Sequence, residues 1–187
     1  MIGRGWSEPT WRAHALHVAN ALPGSAFDAR NADPSLGDVV HLNADTRTLH
    51  HPAHAVFFAI QGPWHDGHDH VHEAWRRGAR RFVVSRPLPA DVSQSSDVLQ
   101  TPDVLLAMQH LAHLRRTAFP GPVIGITGSN GKTIVKEWVA TLLPERLAVH
   151  KSPLSHNSQL GVPMSVWSLD THHDLSVVEA GISQPGE

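Results

Sequence analysis

Three observations predict an α/β fold. Residues 123–133 read Val-Ile-Gly-Ile-Thr-Gly-Ser-Asn-Gly-Lys-Thr, a β-branched run passing through a glycine-rich turn into a helical pattern. Residues 55–60, 69–77 and 81–85 form an apolar run, a helical stretch and a second short strand. Strand, helix and strand within about 30 residues make a right-handed crossover with parallel strands. Hydrophobic residues are 41% and charged residues 17%, as in a packed globular chain and not a disordered one.

The elements follow in order. Residues 10–22 read as a helix, with Trp11, Ala15, Val18, Ala19 and Leu22 on one stripe and Pro23-Gly24 as the stop. Residues 39–42 form a short strand. Residues 55–60 are unbroken apolar and too short for a helix, which makes them a buried strand. Residues 69–77 are helical, closed by Gly78 as a C-terminal cap. Residues 81–85 are the next strand. Pro87-Leu-Pro-Ala-Asp-Val-Ser-Gln-Ser-Ser96 has linker composition and divides a domain at 1–88 from one at 89–187. Residues 102–117 form an amphipathic helix with Pro102 in its first turn. The strand at 123–126 then carries the glycine-rich turn, and a helix at 133–143 follows it, ended by Pro144. Residues 147–149 are a short strand, 161–169 a helix, and 175–179 a strand ending in Glu179. Three strands are fewer than an open nucleotide-binding sheet normally carries, so the second domain is expected to be incomplete.

The bulk numbers exclude several classes. No run approaches the roughly 18 apolar residues of a membrane helix, and the N-terminus lacks the apolar core of a secretory signal. There is no cysteine, hence no disulfide framework and no thiolate chemistry. The net charge of −2 gives no bulk affinity for nucleic acid. Together these favour the cytoplasm, with no membrane insertion. The 16 histidines cluster around 50–54 and 65–72. His68 and His72, four apart on a helix, suit two metal ligands, but no third is evident, and solvated loop histidines are the favoured reading. Arg76, Arg77, Arg80 and Arg81 read as solvated arginines around a helix end, and the six tryptophans as core residues.

The glycine-rich turn has the layout of a phosphate-binding loop. Backbone N–H groups can wrap an anion, the helix N-terminus adds its positive end, and Lys132 reaches the outer phosphates. The Thr133 hydroxyl is placed to ligate magnesium. A nucleoside triphosphate is therefore the expected ligand. The general pattern asks for glycine where Ile126 stands; the spacing here is the shorter Thr127-Gly128-Ser129-Asn130-Gly131-Lys132-Thr133. Glu179 ends an apolar strand as a magnesium-side acid does, but position alone does not separate that role from a strand-end surface glutamate.

These motifs, taken in order, resemble the Mur ligases, the ATP-dependent amide-forming enzymes of peptidoglycan synthesis. The family's loop, Thr-Gly-x-x-Gly-Lys-Thr/Ser, matches Thr127 to Thr133 and accounts for Ile126. Its first domain carries Asp-Ser/Thr-Arg, Phe-x-Ala-x-x-Gly and Asp-Gly/Ala-His, here Asp45-Thr46-Arg47, Phe58-Ala59-Ile60-Gln61-Gly62 and Asp66-Gly67-His68. Asn157-Ser-Gln-Leu-Gly161-Val162-Pro163 fits the next motif, and Val178-Glu179-Ala180-Gly181 the strand-end acid. Within the family the likeness is to members that add D-alanyl-D-alanine to UDP-N-acetylmuramoyl-tripeptide. Many of these carry Asn-His before the next Gly-Glu, where this chain has Ser183-Gln184-Pro185-Gly186-Glu187. That departure resembles forms in which the ligase is followed by an alanine racemase domain.

The resemblance implies ATP and Mg2+ as cofactors. Residues 127–133 and Asn157 would hold the nucleotide, Lys132 and Glu179 would act in catalysis, and Thr133 and Glu179 would hold the metal. Thr46, Arg47, Gly62, Asp66 and His68 would bind the UDP-linked substrate. Arg47 suits a diphosphate because its fork pairs two oxygens at once, the alternative being a surface ion pair. The family's full ligase also has a third domain and a longer central one, so the chain is expected to be a fragment that does not ligate alone. Two other classes stay open: another phosphate-loop NTPase or kinase, and a non-catalytic UDP-sugar binding module.

Overall fold

A computed structural model describes residues 11–30, 41–153 and 156–182. Thr10, the expected strand residues 39–40 and the motif at 183–187 lie outside these residues. The α/β expectation holds, in two compact units, one ending at His110 and the next beginning at Leu111.

In the first unit, helix α1 (Trp11–Ala21) precedes strands β1 (Ala26–Ala29), β2 (His41–Asn43) and β3 (Ala55–Phe58). Helix α2 (Val71–Arg76), strand β4 (Arg81–Val84), helix α3 (Ala90–Ser93) and strand β5 (Asp97–Gln100) follow. The sheet order is β1-β5-β4-β3-β2, parallel from β2 to β5, with β1 antiparallel at the edge. All residues of β3 and β4 are buried, which is why they read as continuous apolar runs: a parallel strand is covered on both faces. Phe57 and Phe82 meet edge to face at 6.2 Å, over Val71 and Ala74 of α2 and Val92 of α3. Gly78, with φ 109°, ends α2 in a conformation that L side chains rarely adopt.

Residues 87–96 are not a linker. Pro89 starts α3, Val92 and Ser96 are fully buried, and β5 pairs along its whole length with β4. The Asp97 carboxylate accepts from Arg12 of α1 at 3.2 and 3.3 Å. The prolines and serines shape turns here, and the division between units falls at 110/111 instead of 88/89, inside helix α4 (Val104–Ala118). In the arginine cluster Arg76 is exposed as expected, but the other three bind the fold. Arg77 donates to the carbonyls of Thr46 and Leu49, Arg80 to Trp75 O with its guanidinium 5.4 Å from that ring, and buried Arg81 to Ala53 O.

The second unit contains strand β6 (Val123–Ile126), helix α5 (Lys132–Leu142), strand β7 (Val149–Lys151), helix α6 (Gly161–Trp167) and strand β8 (Leu175–Glu179). The sheet is β6-β8-β7, all parallel. Strand β7 begins two residues later than expected, because Leu147 N–H closes a turn onto Pro144 O. Trp11 and Trp167 are core residues as expected, whereas Trp64 and Trp138 are exposed.

Buried His150 bridges this sheet to α6. Ser168 Oγ already donates to Ser165 O, so it accepts from His150 Nε2–H at 2.8 Å; Nδ1 then accepts from Ser176 Oγ at 2.8 Å. Burial first, then His173, pushes the imidazole pKa down to about 4, against a hydrogen bond involving Ser165. A histidine that ionises more readily unfolded than folded favours the folded state above pH 6.5, and that margin is lost as pH falls from 6.5 towards 4. The lost stability is about 3 kcal/mol. Urea midpoints across this range should fall with acid in the unaltered chain and fall less in His150→Gln.

Candidate functional site

The turn between β6 and α5 begins where β6 runs out beside β8. The pairing Ile126↔Glu179 brings the last residue of each strand level, so the turn and the strand-end carboxylate share one end of the sheet. Residues 127–131 are exposed. Gly128 (φ 141°) and Gly131 (φ 75°) shape the turn, and a Cβ built on either meets nothing within 4 Å. The turn is therefore open to solvent beside both glycines. Lys132 Nζ lies over this turn, donating to Gly128 O at 2.9 Å.

Glu179 is 1% exposed, so the strand-end surface alternative is excluded. Thr133 Oγ1 donates to its Oε2 at 2.8 Å and Asn157 Nδ2 to its Oε1 at 2.7 Å. Burial alone would raise the carboxyl, but the Asn157 and Thr133 hydrogen bonds and the Lys136 and Lys132 ammonium groups outweigh it and hold the pKa below the usual glutamate value. An ionised carboxylate beside a hydroxyl is the hard oxygen donor set that magnesium favours. Asn157 is thus joined to the acid, and its position is fixed in turn: its carbonyl accepts from Gly181 N–H at 2.7 Å. Gly161 opens α6 so close to the preceding turn that a Cβ would stand 2.8 Å from His156 C and Cα. Gly161→Ala should cost about 1–3 kcal/mol by displacing backbone next to Asn157, read as a lowered denaturant midpoint.

The first-unit motifs form a different arrangement. Asp45 caps the short turn at Thr46–Thr48 and pairs with the Arg47 guanidinium through both oxygens, at 2.6 to 3.0 Å. The Arg47 side chain is 86% exposed and Thr46 is buried. The surface ion pair is therefore present, with a guanidinium facing solvent. Gly62 N–H donates to His65 O at 2.8 Å, and the His65 ring covers the space a Gly62 side chain would need. Asp66 accepts from His68 N–H at 2.9 Å, contacts His68 Nδ1 at 2.7 Å and pairs with Arg86 at 2.9 Å. His68 Nε2 accepts from Ser85 N–H at 3.1 Å. With its side chain 4% exposed and both ring nitrogens engaged, His68 is a latch between the 61–68 segment and the end of β4. His72 instead faces Asp91 at 3.2 Å, and no cluster of three or more metal-binding side chains occurs among the described residues. No described helix is long and apolar enough to cross a membrane.

The model of the Mur ligase middle domain matches residues 126–187. The UDP-N-acetylmuramoyl-tripeptide–D-alanyl-D-alanine ligase of Synechocystis sp. is 33% identical over 156 residues, 82% of this chain and 34% of the relative. Its Escherichia coli namesake is 35% identical over 160 residues, 86% of this chain and 33% of the relative.

The chain belongs to the Mur ligase family.

It spans about a third of the length of these curated relatives. A crystal structure of MurF from Acinetobacter baumannii superposes with a TM-score of 0.79 at 26% identity, covering 96% of this chain and 37% of that one. MurF ligase from Thermotoga maritima, solved in complex with ADP, gives 0.67 at 28% identity, covering 82% and 34%. As a Mur ligase chain it carries a feature that composition did not signal. Fully buried Lys136, one helical turn after Lys132, places its ammonium 3.9 Å from Glu179 Oε2, and Ser152 binds both the lysine and the Glu179 backbone.

Proposed function

We propose that this chain supplies the UDP-substrate-binding and phosphate-loop parts of an ATP-dependent ligase that adds D-alanyl-D-alanine to UDP-N-acetylmuramoyl-tripeptide. The observation that carries this is the buried, ionised Glu179 joined to Thr133 at the mouth of an open glycine turn. In this reading ATP phosphorylates the terminal carboxylate of the peptide, and the amine of D-alanyl-D-alanine displaces phosphate from the resulting acyl phosphate.

The residues divide the work. N–H groups of Gly128, Ser129, Asn130 and Gly131, with Thr127 at the start of the turn, hold the phosphates. Lys132 leaves Gly128 O and places its ammonium against the charge developing on the γ-phosphoryl group. Thr133 and Glu179 would hold Mg2+, which when bound neutralises charge shared between the outer phosphates. Asn157 acts through Glu179 by fixing one carboxylate oxygen. In the first unit the exposed Arg47 guanidinium turns from Asp45 to the diphosphate, with Thr46, Gly62, Asp66 and His68 completing the substrate side.

Separate titrations with UDP-linked muramyl tripeptide and with ADP test this. Both should bind, and Lys132→Ala should weaken ADP while leaving the UDP compound unchanged. ADP binding without affinity for the UDP compound points to another phosphate-loop enzyme. UDP binding without any nucleotide contact at Lys132 points to a binding module.

A further inference from the structure

We propose that Lys136 is a positioning residue for metal-dependent nucleotide binding: an internal cation that fixes the direction of Glu179. The inference rests on the phosphate-loop reading above and adds a residue that the motifs read from the sequence do not include.

Lysine is almost never fully buried unless it is paired. Here the ammonium donates to Ser152 O at 2.8 Å and lies 3.9 Å from Glu179 Oε2. Ser152 closes the arrangement: its hydroxyl accepts from Glu179 N–H at 3.1 Å, and its own N–H donates to Val177 O at 3.1 Å. The acid is thus held through its backbone by Ser152, through Oε1 by Asn157 and through Oε2 by Thr133. Lys136 is the full charge buried alongside it. Lys132 and Lys136, four apart on α5, divide the labour: Lys132 lies on the exposed turn, Lys136 beneath it.

The physical consequence concerns the carboxylate before any metal arrives. A buried carboxylate without a counter-charge lowers its energy by turning to solvent. That change removes an oxygen donor from the side of Thr133. A fixed ammonium behind the carboxylate opposes it, so the donor oxygens are placed in advance and metal binding requires less reorganisation, chiefly release of the Thr133 hydrogen bond. Groups that orient a metal ligand from behind typically change metal affinity by about 10–100-fold when removed.

The test is the magnesium-linked gain in ADP affinity, measured by calorimetry on the whole chain with Mg2+ and again with chelator. In the unaltered chain Mg2+ should tighten ADP binding. In Lys136→Met that gain should shrink by about tenfold or more, with affinity in chelator changed by less than about threefold. Lys136→Gln keeps a donor for Ser152 O without the charge, and serves if the methionine variant does not fold; it should show the same loss. In a Glu179→Gln background, Lys136→Gln should remove nothing further, because the lysine acts through the acid. An undiminished gain in a folded Lys136→Gln protein overturns the proposal. So does equal weakening with and without Mg2+, which would make Lys136 a support of the turn alone. No magnesium-linked gain in the unaltered chain would reject the phosphate-loop reading itself and the inference with it.

Discussion

Lys132→Ala should lower ligation in a catalytically competent protein by about a thousandfold or more, the scale on which loss of a principal phosphate-charge stabiliser is felt. The size follows from where the ammonium sits. Lys132 lies over the turn in a single exposed hydrogen bond to Gly128 O, free to move onto a phosphoryl oxygen. Charge on the transferring group spreads over its outer oxygens in the transition state, so the lysine binds that state more strongly than the ground state. The rate should therefore fall far more than ADP affinity does. Folding should change little, because the side chain contributes one solvent-exposed bond and the weakest of the charge interactions with Glu179. Phosphate release that requires both substrates gives the rate, and a thermal melt gives the control. A variant within tenfold of the unaltered rate would remove Lys132 from the chemistry.

The parts of this site differ in how well the sequence announced them. The glycine turn was legible because its residues are contiguous and each does something only that residue type does: glycine for positive φ, lysine for reach, threonine for a hydroxyl at the helix start. Glu179 was half legible. Its strand could be read from Leu175 to Val178, but its burial depends on pairing with β6, which is a property of the folded sheet. Lys136 and Ser152 were invisible by composition, since a lysine and a serine are ordinarily surface residues. The i, i+4 spacing from Lys132 was the available hint. Strands β3 and β4 stood out through continuous burial, whereas β1 (Ala-Phe-Asp-Ala) is an edge strand with half its residues small and one charged. Strand β5 was hidden behind a serine-rich approach that forms a short helical turn. The Asp66-Gly67-His68 motif was legible, but the favoured reading of a solvated histidine was not right for His68, which is buried with Asp66 and Ser85 at its two ring nitrogens.

Glu179→Gln carries the other large effect, and it falls on stability as well as on function. The glutamine keeps the shape of the side chain but presents one amide N–H2 and one carbonyl where two carboxylate oxygens stood. Thr133 and Asn157 both donate to this residue, so at least one of them meets a donor. Lys136 loses the carboxylate paired with it inside the protein. Breaking a buried ion pair from one side costs up to about 3–5 kcal/mol, and less here, because Lys136 keeps Glu137 Oε1 at 3.7 Å and its bond to Ser152 O. Urea unfolding of the single variant should show that loss. The source of the cost can then be isolated by adding Lys136→Met to Glu179→Gln, which removes the stranded charge and replaces it with an apolar chain of similar length. The double variant should regain a substantial part of the lost stability while recovering none of the magnesium-linked ADP affinity. Recovery of stability without recovery of function would separate the two roles of this carboxylate: a charge that must be balanced for the second unit to fold, and a metal ligand that the fold holds ready. If the double variant is instead less stable than Glu179→Gln alone, the lysine contributes through packing and its bond to Ser152, and the ion pair is not what the buried site is built around.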